Sequence, residues 1–296
     1  MKKQIKEKLA YEVMDHDKQT KVLSSLSEYD RQGNLTLHIN YFPSGDIFTE
    51  HAYTYKKNLL VQEREWNENG DCSTIDYAYD TSDRCILKTL SFLDGTKQIE
   101  KREYVDQKEI LTLYDEFQQE VEKQVLIYDT DKKLIGNDFY ENRNLVESSR
   151  FKYDLNGENT ERMIEDYVNE TKYIYTYFWE GQTHIALEKN GVGEITSKTI
   201  SVYEQDLLIQ KIEEYRDLMN NNYSRFYEYD ERGNLIKETH KNYAGHTVAQ
   251  TNYKYNENQD VIELLTLSSV SHLNIVEGAY LNKTTLMIYE LSYFDA

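Results

Sequence analysis

The chain has 296 residues, of which 39% are hydrophobic and 29% charged, and its formal net charge is −19 at neutral pH. An excess of acid this large repels nucleic-acid phosphates and anionic lipid, and the lysines and arginines form no basic stripe that could track a phosphate backbone. No apolar run reaches the length of a helical membrane span, so neither nucleic acid nor membrane is an expected partner.

In chain order, Met1 to Lys8 is charged and lacks the apolar stretch of a secretory leader, which makes a cytoplasmic location the expectation. Lys2 to Leu9 is expected to form a short helix and Tyr11 to Leu26 a capping hairpin, so that residues 1–26 act as an N-terminal cap. A tyrosine period then begins. Its anchors are Tyr29, Tyr55, Tyr79, Tyr104, Tyr128, Tyr153, Tyr177, Tyr203, Tyr229, Tyr255 and Tyr280, with every step between 24 and 26 residues. A second tyrosine often stands two residues earlier (Tyr53, Tyr77, Tyr175, Tyr227, Tyr253), which puts both rings on one face of a strand. The 27 tyrosines against nine phenylalanines favour a thin pleated sheet, with rings packed and hydroxyls in water, over a deep dry core.

Asp often follows the anchor, as at Asp30, Asp80, Asp129, Asp154 and Asp230, and Gly falls four residues after it at Gly33, Gly157, Gly181 and Gly233. About half a period on comes a second turn, marked by Gly45, Gly70, Gly95 and Gly245 and by Lys189-Asn190-Gly191. Two turns in each period leave two strands, which is a hairpin unit. The expected fold is therefore all-β: an elongated or curled antiparallel β-meander of about ten tandem hairpins, each of about 25 residues, over residues 27–255.

The copy Phe226-Tyr227-Glu228-Tyr229-Asp230-Glu231-Arg232-Gly233-Asn234-Leu235 resembles the YD repeat of RHS-type proteins, and Ser27-Glu28-Tyr29-Asp30-Arg31-Gln32-Gly33-Asn34-Leu35 resembles it too. The likeness covers roughly residues 27–280. Other copies are degenerate: Tyr104-Val105-Asp106-Gln107 lacks both the following Asp and the Gly, and Tyr177-Phe178-Trp179-Glu180 lacks the Asp. Long members of that family curl a sheet into a hollow shell, for which this chain is too short. Short chains with such repeats are similar to bacterial immunity proteins and other binding scaffolds.

From Asn256 to Ala296 the chain carries one base, Lys283, against six acids, together with apolar runs such as Val261-Ile262-Glu263-Leu264-Leu265. Residues 256–296 read either as a cap or as an exposed partner-binding edge, through which the protein would also oligomerise.

A search for chemistry returns little. Cys72 and Cys85 read as two unpaired thiols, in keeping with a reducing compartment. The seven histidines form no ligand spacing, and Asp129-Thr130-Asp131 departs from a calcium loop at its fifth position and at its glycine. No phosphate loop or nucleophile elbow is present. No catalytic, cofactor-binding or metal residue is assigned, and the expectation is a non-catalytic, protein-binding scaffold. Its most concrete form is an immunity protein that occludes a basic cognate toxin or effector. A carbohydrate-binding or cell-surface module is the alternative.

Overall fold

The computed structural model describes residues 4–13, 20–216, 222–268 and 283–294. Among the described residues, alternating side chains punctuated by turn residues form 22 strands. These are β1 (Ile5–Val13), β2 (Lys21–Tyr29), β3 (Leu35–Tyr41), β4 (Ile47–Lys56), β5 (Leu59–Asn67), β6 (Cys72–Tyr79), β7 (Cys85–Ser91) and β8 (Lys97–Val105). Next come β9 (Lys108–Tyr114), β10 (Glu120–Tyr128), β11 (Leu134–Glu141), β12 (Asn144–Tyr153), β13 (Asn159–Asp166), β14 (Thr171–Glu180) and β15 (Thr183–Asn190). The remainder are β16 (Ile195–Glu204), β17 (Leu207–Tyr215), β18 (Tyr223–Tyr229), β19 (Leu235–Asn242), β20 (Thr247–Tyr255), β21 (Val261–Ser268) and β22 (Lys283–Tyr293). The helix expected over Lys2 to Leu9 does not form within the described residues. Lys and Glu favour helix locally, but Ile5, Leu9, Tyr11 and Val13 alternate with period two, and neighbouring strands on both sides supply ladder partners.

Each strand pairs antiparallel with its sequence neighbours, and β1 also pairs with β22. The ladder therefore closes into a 22-stranded antiparallel β-barrel. This corrects the expected open meander, elongated or curled. An open array would leave a row of unpaired N–H and C=O groups on its first and last strands, and closure removes both edges. It also removes the C-terminal edge offered for a partner or a second copy, because β22 is hydrogen-bonded on both sides. Lys8 lies over the Tyr289 ring at 4.2 Å, and Lys21 pairs with Glu290 at 3.4 Å, so side chains of β1 and β2 reach β22.

Closure corrects the cytoplasmic location as well, and with it the cytoplasmic immunity-protein reading. Among the described residues no helix is long and apolar enough to cross a membrane. A closed antiparallel barrel satisfies every backbone group without a helix, so it is one of the two architectures a bilayer admits. The step from a missing apolar helix to the cytoplasm therefore fails.

The chain divides into two compact units: Met1–Lys3, Lys8–Ser24 and Ile174–Ala296 form one, and Gln4–Glu7 with Ser25–Tyr173 form the other. In the first, the buried apolar side chains among the described residues are Ala10, Val13, Ile185 and Leu286. In the second, the buried residues are small hydroxyls: Ser27, Thr112, Ser148 and Ser149. The protein exposes 19176 Å². A compact chain of 35.2 kDa would expose about 13,000 Å². The sheet is a single layer wetted on both faces, held by its ladder and its cross-strand pairs rather than by a deep core.

The longer turns share one geometry. At Asp30 the backbone N–H donates to the Asn34 carbonyl, and the Gly33 N–H donates back to the Asp30 carbonyl. The Asp30 carboxylate accepts the N–H groups of Gln32 and Asn34, both at 2.9 Å. Asp80, Asp129, Asp154 and Asp230 repeat this pattern after their anchors. At the opposite strand ends Asn67, Asn190, Asn242 and Asp115 do the same work, whereas Phe42 and Phe92 keep the backbone pattern without a side-chain cap. The fourth residue of each turn is left-handed: Gly33, Gly45, Gly70, Gly95, Gly157, Gly233 and Gly245 all have positive φ. In the turn after Lys189 that residue is Gly193 rather than Gly191, because Asn190 opens the turn. Lys57-Asn58, Asn142-Arg143 and Gln205-Asp206 close tighter hairpins, with positive φ at both residues.

Asp83 and Lys132 occupy the left-handed slot with φ of 60° and 64°. Replacing either by Gly should raise unfolding stability by ~0.5–1 kcal/mol, the relief of left-handed strain less the entropy of glycine. Gly233→Val should lower stability by ~1–2 kcal/mol. Urea denaturation midpoints check both directions.

Candidate binding surface

Ten of the eleven anchor tyrosines lie in described residues: nine stand at or next to the last residue of their even-numbered strand, and Tyr177 stands three residues before the end of β14; Tyr280 lies outside the described residues. The strand register slips by one residue at Tyr55↔Leu60, Tyr79↔Cys85, Tyr128↔Leu134, Tyr203↔Leu208 and Tyr229↔Leu235. Each slip is a bulge that takes one carbonyl out of the regular ladder. The next anchor fills it. Tyr79 donates to the Leu60 carbonyl at 2.7 Å, Tyr104 to Cys85 at 3.3 Å, Tyr153 to Leu134 at 2.7 Å, Tyr229 to Leu208 at 2.9 Å and Tyr255 to Leu235 at 2.7 Å. Tyr128 donates instead to the Glu109 carboxylate at 3.3 Å. Tyr29, Tyr55, Tyr177 and Tyr203 are half-buried; Tyr177 stacks on His184, and Tyr203 packs against Trp179. Several of the hydroxyls expected to sit in water are thus backbone donors.

Half-buried carboxylates accompany the rings on the same face. Glu63 stands opposite Tyr53 and accepts from Tyr77 at 3.3 Å. Burial, followed by the Glu63 charge, pushes the Tyr77 phenol up to about 12. Glu213 accepts from Tyr223 and from Tyr215 and pairs with Lys211 at 2.6 Å. Burial opposes the Glu213 charge, but the Lys211 and tyrosine bonds outweigh it and hold the carboxyl below its ordinary value. The Tyr223 phenol is in turn pushed up to about 12, by burial first and then by Glu213. Glu238 holds His240 at 2.6 Å, and Arg102 bridges Glu100 and Glu109. Sequence reasoning missed these glutamates: acids are so abundant that a fixed place opposite a tyrosine does not stand out.

The opposite face pairs its charges too, through Lys237–Glu228 at 2.8 Å, Lys254–Glu263 at 2.6 Å, Lys152–Glu161 at 2.7 Å and Arg150–Asp138 at 2.7 Å. One hydroxyl–imidazole pair, Ser27 Oγ to His38 Nδ1 at 2.9 Å, has the elements of a nucleophile. Ser27 is buried, however, which closes it to a substrate.

Charge left over from both faces collects at the turns. In the second unit the strand ends away from the anchors span residues 42–46, 67–71, 92–96, 115–120, 141–143 and 166–170, which carry ten acids against one base, Arg143. The same turns expose Leu93 (70%), Phe117 (73%) and Val168 (68%). Neither the acids nor these apolar tips belonged to the expected site residues, though a phenylalanine in the middle of a polar turn was a visible signal.

No family model and no curated protein matches the chain. Among solved structures it is similar to a porin-like protein from Bacteroides uniformis, at 8% identity and a TM-score of 0.37, over 97% of this chain and 96% of that one. A porin-like protein from Bacteroides vulgatus matches at 11% identity and 0.27, over 76% and 94%. A TcdB2–TccC3 structure matches at 11% identity and 0.22, over 80% of this chain and 18% of that one. All three scores lie below the level at which a likeness carries an argument about function.

Tyr229→Phe should destabilise the protein by about 1 kcal/mol, because the Leu208 carbonyl loses its donor, while Tyr243→Phe at an exposed turn should be neutral. A tyrosine held neutral contributes its stability fully below pH 10, and that contribution is lost as pH rises from 10 towards 12. Tyr77→Phe and Tyr223→Phe should therefore flatten the alkaline fall in stability, as followed by circular dichroism at fixed urea.

Proposed function

We propose that this chain is a non-catalytic scaffold that binds a basic protein partner through its turns. The observation that carries the reading is the separation of roles between the sheet and its ends. On the faces the tyrosine hydroxyls and carboxylates are largely committed to backbone carbonyls, lysines, arginines and one another. At the ends an excess of acid over base coincides with exposed apolar side chains. Acid supplies encounter rate and choice of partner, and exposed aromatic and aliphatic tips supply contact area. The resemblance to YD repeats, carried by Tyr227 to Asn234 and Tyr29 to Asn34, supports a scaffold role and adds no catalytic residue.

Selection of a displayed random-peptide library on the immobilised chain tests the proposal. Enrichment of lysine- and arginine-rich peptides with apolar anchors, released by salt, is the expected result. Enrichment of acidic peptides, or binding that salt does not weaken, would overturn it, as would saturable glycan binding with no peptide enrichment.

A further inference from the structure

Two depressions flank the β9–β10 turn in the second unit. One, of about 540 Å³, lies towards the β7–β8 turn and is lined by Asp94, Lys97, Ile99, Asp115, Glu116 and Phe117 among others. The other, of about 620 Å³, lies towards the β11–β12 turn and includes Tyr114, Glu120 and Arg143. Gln118 lines both, so they form one groove crossing the turn. Each is of the size that holds a few side chains.

Nothing in the turn chemistry asks for the residues found here. The turn needs a cap at its first position, which Asp115 supplies to the Phe117 and Gln119 N–H groups, and a left-handed fourth residue, which is Gln118 at φ 61°. Its second and third positions project away from the sheet. In the equivalent third position most other turns place small or polar residues such as Gln32, Ser44, Asn69, Ser82, Asn156 and Arg232, while the β15–β16 turn places Val192, 82% exposed. Here stands Phe117, 73% exposed, and Leu93 at the second position of the neighbouring turn is 70% exposed. Glu116 and Glu120 make no hydrogen bond or ion pair among the described residues. The groove thus offers four carboxylates (Asp94, Asp115, Glu116 and Glu120) against the two bases Lys97 and Arg143.

We infer that this groove is the seat of a short, extended basic segment of the partner polypeptide. The segment's apolar side chains rest on Phe117 and Ile99, and its lysine or arginine side chains reach Glu116 and Glu120. Charge complementarity selects this occupant: a second copy of an acidic chain would be repelled, and an apolar ligand alone would leave the carboxylates stripped of water without a counter-charge. The inference rests on the scaffold reading and narrows it to one place.

The test uses the full-length protein and a fluorescein-labelled peptide of alternating lysine and tryptophan, read by fluorescence anisotropy. The variants Phe117→Ser and Glu116→Gln/Glu120→Gln leave the Asp115 cap untouched. Each should weaken binding by about fivefold or more, the acid pair chiefly at low salt. The control variants Leu155→Ser and Glu231→Gln, at turns that follow anchor tyrosines and lie outside the acidic strand ends, should leave the affinity unchanged. If all four variants bind like the parent, the groove is wrong while the scaffold reading stands. If the parent fails to bind the basic peptide, or binds an alternating glutamate–tryptophan peptide equally well, both fall.

Discussion

The bond from an anchor tyrosine to the carbonyl of the preceding bulge is the interaction on which the rest of the structure depends. A bulge re-aims the strand but takes a carbonyl out of the ladder, and a carbonyl so displaced must find a donor or lose stability. Leu60, Cys85, Leu134, Leu208 and Leu235 all find it in the next tyrosine, 19 to 21 residues on. Phenylalanine would supply the ring and leave the carbonyl bare, which is why the anchor is so consistently tyrosine. Because the donor must stand on the right face and at the right height, the period cannot drift: a slip of one residue would turn the ring to the other side of the sheet. At these five anchors each repeat is thereby fastened to the one before it.

Fastening of that kind suits a sheet with little core. Among the described residues the first unit buries four apolar side chains and the second buries small hydroxyls, so hydrophobic burial per residue is low. What remains is a complete ladder, with cross-strand pairs such as Lys254–Glu263 and aromatic contacts such as Trp179 on His184 added to it. A ladder of this length cannot tolerate frayed margins, and closure between β1 and β22 answers that need.

Sequence legibility followed range. Hairpins, their length, the tyrosine face and the capping Asp residues are local features, and a period of 24 to 26 residues states them many times over. Closure is a single long-range pairing between the first strand and the last, written nowhere in the period, so an open meander was the natural reading. Lys2 to Leu9 read as helix because Lys and Glu dominate its propensity, while the partners that make it a strand lie on β2 and β22. The hydroxyl donors were illegible for a related reason: the acceptor exists only because of a bulge, and a bulge leaves no mark in composition. Tyr223, off the period, reads as a spare ring, yet its hydroxyl holds Glu213. Periodicity thus identifies which tyrosines are repeated, and not which are bonded.

Function was least legible because the informative residues are departures from the repeat. A net charge of −19 on a single-layered sheet carries a cost in self-repulsion. The faces limit it by pairing acid with base across strands, and Lys237–Glu228 and Arg102–Glu109 are of this kind. At the turns of the second unit the pairing stops, and ten acids meet one arginine. Solubility would account for acid alone, but it does not account for Phe117 and Leu93 standing in water among those acids, since exposed apolar tips work against it. The two features are at odds on a free surface, and the proposed basic, partly apolar partner would reconcile them. The turn geometry bears on the same point: a residue at the second or third turn position has no sheet to pack against, so an apolar side chain there adds nothing to the fold, and on the proposed reading a partner would supply the missing contact.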